Sequence, residues 1–121
     1  MTTQLASDRA ADGFYVRRTP GYLMLYPVLC DVARVHGYAL AMHGSLVRDL
    51  DVVAVPWVEK CSPPIVLVQA IAHASGGQLV GSVARRPHGR LVWTVQLGVA
   101  GFVDLSVMTS VDQAGGAHEL A

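Results

Sequence analysis

The sequence predicts an α+β domain, a mixed, largely antiparallel sheet with two helices on one face. Three observations predict it. Two stretches carry apolar residues at helical spacing, each with proline near its start and glycine at its end. The final third alternates apolar and polar residues between Pro and Gly punctuation, as short strands joined by turns do. Hydrophobic residues are 52% and charged residues 15% of the 121, enough for a packed core in a single domain.

The elements follow in order. Residues 1–18 are polar and read as a flexible N-terminal arm, 19–109 as the folded domain, and 110–121 as a flexible tail. Thr19 can cap a first helix with Pro20 at its first position. Leu23, Tyr26, Val28, Leu29, Val32 and Val35 form its apolar face, and Gly37 stops it. Pro27 either kinks this helix or starts it. Tyr38–His43 is a short apolar strand followed by Gly44-Ser45, and Leu50–Val55 is a second strand ended by Pro56. Ser62 can cap a helix that opens with Pro63, runs through Ile65, Leu67, Val68, Ile71 and Ala72, and stops near Gly76-Gly77. Gln78–Ala84 is a strand, and residues 85–89 form a hairpin loop. On Arg90–Leu97, residues Leu91, Trp93, Val95 and Leu97 alternate with Arg90, Thr94 and Gln96. Gly98 and Gly101 frame a turn into the last strand, Phe102–Met108.

Charge and hydropathy exclude several classes. Lys+Arg is 9 and Asp+Glu is 9, so there is no general electrostatic grip on nucleic acid or anionic membrane. The apolar runs Ile65–Ala74 and Val52–Val58 are too short and interrupted to span a bilayer, so no membrane association is expected. The first residues lack the basic-then-apolar order of a secretory signal. Cys30 and Cys61 have no metal-like spacing and read as reduced thiols, which points to a cytoplasmic protein. The high apolar fraction points to a partner surface, a second copy of the chain or a helical protein.

The stretch that carries chemistry is Tyr38 to Pro56. Asp49 and Asp51 open an apolar strand, and positions two apart on a strand share a face. Like charges side by side repel, and partial burial adds a desolvation penalty. A divalent cation relieves that repulsion, and Mg²⁺ prefers carboxylate and phosphate oxygens. Asp104 lies in another apolar strand, in Phe102-Val-Asp-Leu-Ser-Val. If the two strands are neighbours, three carboxylates converge on a metal site able to activate a hydroxyl. Gly44 permits close approach of a ligand to the backbone, and Ser45 with nearby N–H groups can bind phosphate oxygens.

Each of these residues has a plainer reading. Asp49 and Asp51 would also suit a turn, and Asp104 a strand end or a pairing with Arg90. Arg85, Arg86, His88 and Arg90 cluster on one hairpin and read first as a solvated loop tip. The other reading is a phosphate or nucleic-acid contact, to which Arg48 contributes if the loops lie close together. His43 is a strand-end histidine that either contacts substrate or is satisfied locally, and His73 is a helix-face residue. Trp57 and Trp93 read first as core or rim packing, with base stacking as the alternative, and Cys30 as a small buried apolar residue.

The combination resembles a known family. His43-Gly44-Ser45, then Asp49-Leu50-Asp51, with Asp104 in a later strand, is similar to the nucleotidyltransferase fold of the polymerase-beta superfamily. The string with Arg48-Asp49-Leu50-Asp51 and Gly101-Phe-Val-Asp-Leu-Ser-Val-Met also resembles small phage and prophage nucleotidyltransferase-like proteins, over roughly residues 20–108. The resemblance implies metal-dependent nucleotidyl transfer from a nucleoside triphosphate to a hydroxyl acceptor on RNA, protein or a small molecule. Gly44, Ser45 and Arg48 would hold the nucleotide. Asp49, Asp51 and Asp104 would bind Mg²⁺ or Mn²⁺, and Asp104 would help deprotonate the acceptor. Alternatives of the same fold are an inactive nucleotide- or protein-binding module, or a metal-dependent phosphate-ester hydrolase. The chain departs from the family where only Leu46, Val47 and Arg48 separate Gly44-Ser45 from the acidic triplet, too few for a helical turn.

Overall fold

The structure, a computed structural model, describes residues 24–44, 49–97 and 101–109. In chain order these form α1 (24–35), β1 (Tyr38–His43), β2 (Leu50–Pro56), α2 (Pro64–Ser75), β3 (Gln78–Arg86), β4 (Arg90–Gln96) and β5 (Phe102–Met108). The strands make one sheet in the order β1-β2-β5-β4-β3. β2 and β5 run parallel, and every other neighbouring pair is antiparallel. A parallel pair needs a long crossover, here supplied by α2, β3 and β4. Among the described residues no helix is long and apolar enough to cross a membrane.

Strand alternation sorts the side chains. Leu50, Val52 and Ala54 of β2, Val103, Leu105 and Val107 of β5, and Val95 of β4 are fully buried. They form one cluster with Leu29 and Ala33 of α1 and with Leu67, Val68, Ile71 and Ala72 of α2, so both helices cover the same face. Each fully buried Leu or Val contributes about 1.5–3 kcal/mol of transfer free energy. Two tyrosines tie the layers together, with Tyr26 Oη donating to Leu40 O at 2.8 Å and Tyr38 Oη to Ser62 O at 2.6 Å.

Several local expectations change. The helix is already formed at Met24, so a start at Pro27 is excluded, and Thr19, Pro20 and Leu23 lie outside the described residues. Val28 and Val35, expected on the buried face of α1, are 47% and 82% exposed. At about 100° per residue both fall well round the helix from Leu29, and Ala33 takes the buried place. Ser62 does not cap α2. The N-cap is Pro63, with ψ 146 and no side-chain cap. A residue that precedes proline is pushed to extended backbone, and Pro63 precedes Pro64, so the helix opens one residue late. The Ser62 hydroxyl instead meets His36 Nδ1 at 2.8 Å. Gly76 ends α2 in the left-handed conformation at φ 69, as glycine after a helix permits. Trp57, expected in the core or at its rim, is 74% exposed, whereas Trp93 packs against the core. β3 runs two residues past Ala84, so Arg85 and Arg86 belong to the strand and the turn is 87–89.

Candidate site on the helix-free face of the sheet

The residues that alternate with the core face the other way, and no described helix covers them. His43, Asp51, Asp104 and Thr94 form one register row across β1, β2, β5 and β4. Asp51 and Asp104 are direct partners on the parallel β2–β5 ladder, each with an apolar core residue on either side in sequence. This is the adjacency the sequence reading required. Asp104 accepts a hydrogen bond from Thr94 Oγ1 at 3.0 Å. It is the third residue of β5, not a strand-end cap, and its partner is Thr94, not Arg90.

The electrostatics of the row follow from its composition. Asp51 has its pKa raised above the ordinary 3.8, first by partial burial and next by the Asp104 charge. Asp49 and a hydrogen bond with Asp104 push the same way, while His43 pulls it down. Asp49 sits at the bend before β2, half-buried, and adds its charge to the field. Among the described residues no three His, Cys, Asp or Glu side chains are gathered as a preformed metal group. The close partnership is the Asp51–Asp104 pair. Its chemistry fits a hard divalent cation, since Mg²⁺ takes one or two carboxylates and completes its shell with water and substrate phosphate oxygens.

Gly44 has a structural role here. Its φ is +76, and a Cβ would overlap Oδ2 of Asp51. Glycine therefore lets the backbone leave β1 in a left-handed turn directly against the carboxylate. Ser45 and Arg48, assigned to the nucleotide by resemblance, lie outside the described residues.

The row borders a depression of about 400 Å³ whose lining extends to Arg86 and Arg90. The sequence reading grouped both arginines with Arg85 and His88 on the hairpin, first as a solvated tip and otherwise as a phosphate or nucleic-acid contact, without placing them beside the acid row. Their signal was the strand alternation itself: Arg90 shares a face with Val92 and Thr94, and pairing across the hairpin brings Arg86 to that face. His73 is exposed on α2 as expected, and Cys30 and Cys61 are free thiols, half-buried, away from the acid row. Comparison of the chain with protein-family models, with curated proteins and with solved structures finds no match.

Proposed function

We propose that the sheet face bearing Asp51 and Asp104 carries out metal-dependent nucleotidyl transfer from a nucleoside triphosphate to a hydroxyl acceptor. The observation that supports this most is the Asp51–Asp104 partnership, two carboxylates from distant parts of the chain set side by side on adjacent parallel strands. Asp51's pKa is raised first by partial burial and next by the Asp104 charge, with His43 offsetting part of the effect. The resemblance of Gly44-Ser45, Asp49-Leu50-Asp51 and Asp104 to polymerase-beta-type nucleotidyltransferases supports the same reading.

Asp51 and Asp104 would hold Mg²⁺ or Mn²⁺, with Asp49 adding charge from the start of β2. When bound, the ion supplies charge neutralisation on the phosphates and a lower pKa for the acceptor hydroxyl. Thr94 orients Asp104 through its hydroxyl, and that carboxylate has further acceptor sites for the metal or the acceptor proton. In the reaction the acceptor oxygen bonds to the α-phosphorus, the bond from that phosphorus to the bridging oxygen breaks, and pyrophosphate leaves. The acceptor proton passes to Asp104 and on to solvent.

The test incubates the full chain with α-labelled nucleoside triphosphates, Mg²⁺ and RNA, protein or small hydroxyl acceptors. Expected products are a labelled acceptor and pyrophosphate. Asp51→Asn and Asp104→Asn should each reduce turnover by more than the roughly 10–100-fold typical of losing a residue that only supports a metal ligand. Full activity in either variant refutes the assignment. Phosphate release without a labelled acceptor would identify a phosphate-ester hydrolase. Saturable, metal-dependent nucleotide binding without turnover would identify a binding module.

A further inference from the structure

We propose that Arg86 and Arg90 are a polyphosphate-binding pair that holds the phosphate chain of the nucleoside triphosphate across the sheet face from Asp51 and Asp104. The identity of the ligand rests on the nucleotidyl-transfer reading, whereas the anion site rests on the arginine geometry.

Arg86 and Arg90 are direct partners on the antiparallel β3–β4 ladder, so both side chains leave the same face. Like charges placed directly opposite are destabilising unless an anion lies between them. Neither guanidinium is ion-paired among the described residues. Arg90 donates through Nε to Pro87 O at 3.1 Å, and Arg86 through Nη1 to Arg85 O at 3.1 Å. Each retains further N–H donors, and a guanidinium fork matches phosphate oxygens two at a time.

Residues 85–89 are exposed, as a loop tip requires, and the hairpin is anchored at Gly89. Thr109, just beyond β5, donates to Gly89 O from Oγ1 at 2.8 Å and from its backbone N at 3.3 Å. Both arginines line the depression that Asp51 and Asp104 line. Between them lies a register row of short side chains, with Ser106, Val92 and Ala84 on β5, β4 and β3. Arg90 and Thr94 are four positions apart, about 13 Å along the strand, a span that a long guanidinium side chain and a phosphate chain bridge together.

The face is thus polarised, acidic at one end and basic at the other, over a low floor. A phosphate chain laid across it has its terminal phosphates at the arginines and its α-phosphate toward the carboxylates.

The probe is inorganic tripolyphosphate, titrated calorimetrically into the full chain with EDTA present. Saturable binding that weakens as salt rises is expected, reduced roughly 10-fold or more in Arg86→Gln and in Arg90→Gln. Arg85→Gln, whose side chain leaves the opposite face, should bind as wild type. No binding by wild type, or unchanged binding in both variants, overturns the inference. So does equal competition by a single-stranded oligonucleotide without terminal phosphates, which would mark a nucleic-acid backbone site. Binding lost in both variants, with no nucleotidyl transfer by wild type, leaves the anion site standing and refutes the transfer reading alone.

Discussion

On β5, Val103, Leu105 and Val107 are fully buried under the helices, while Asp104 and Ser106, one residue away from them, face the side the helices leave uncovered. The same division runs through β2, with Leu50, Val52 and Ala54 on one side and Asp51 on the other. One face is held by transfer of apolar surface out of water, a non-directional force that tolerates many shapes. The other carries two like-charged pairs, Asp51–Asp104 and Arg86–Arg90, each unfavourable for folding. The contrast teaches that stability and chemistry are separated by a single pleat. The covered face supplies the free energy against which the open face can hold charges in unfavourable proximity.

The sharpest way to break this division is to alter neighbours that point opposite ways. Leu105→Ala leaves a void in the core cluster and should cost about 2–5 kcal/mol of stability. Ser106→Ala, the adjacent residue on the other face and itself only 4% exposed, removes a single oxygen and should change stability by less than about 1.5 kcal/mol, the range of one net hydrogen bond. Urea unfolding of the two variants checks this, and comparable losses would mean that the face bearing Ser106 contributes as much to stability as the core face does.

Much of this division could be read before any coordinates, and the reasons are local. β1 and β5 have the expected boundaries because alternation and glycine or proline punctuation act over a few residues. The Asp51–Asp104 register could only be stated as a condition, since parallel pairing joins segments separated by α2, β3 and β4. The place of Arg86 on a strand was missed for a related reason. Arg-Arg-Pro-His-Gly reads as one loop, yet cross-strand hydrogen bonding carries β3 through Arg86 and leaves only residues 87–89 to turn. The start of α2 was misplaced because a serine cap signal competed with the Pro63-Pro64 backbone restriction, and the steric restriction won. Trp57 misled through its size: a large apolar side chain need not be buried when it follows the last residue of a strand.

A smaller effect, pH-dependent and opposite in sign, belongs to the acid pair. Asp51's pKa is raised in the folded chain, chiefly by burial and then by Asp104. Below the ordinary carboxylate value of 3.8, folded and unfolded chains both keep the proton, and the favourable contribution is fully present. It is lost as pH rises through the raised folded-state pKa, because the unfolded chain gives up its proton first. Wild type should therefore lose stability over that window on the way to neutral pH, and Asp51→Asn should lose less. Adding Mg²⁺ at neutral pH should raise the wild-type midpoint and leave that of Asp51→Asn nearly unchanged. Parallel stability-versus-pH curves for the two proteins would show that Asp51's surroundings do not penalise its charge.

The smallest change sharpens the comparison most, because it leaves both faces in place. Thr94→Val keeps the shape and the β-branched preference of β4 but removes the hydroxyl that donates to Asp104. The lost hydrogen bond is worth about 0.5–1.5 kcal/mol net, partly offset by the apolar side chain, so the unfolding midpoint should barely move. Turnover should nonetheless fall by roughly 10–100-fold, because an unheld carboxylate samples orientations that do not face Asp51. Thr94→Ser restores the donor and should restore most of the rate. A Val variant as active as wild type would show that the ladder backbone alone positions Asp104, and that the open face needs no side-chain support of its own.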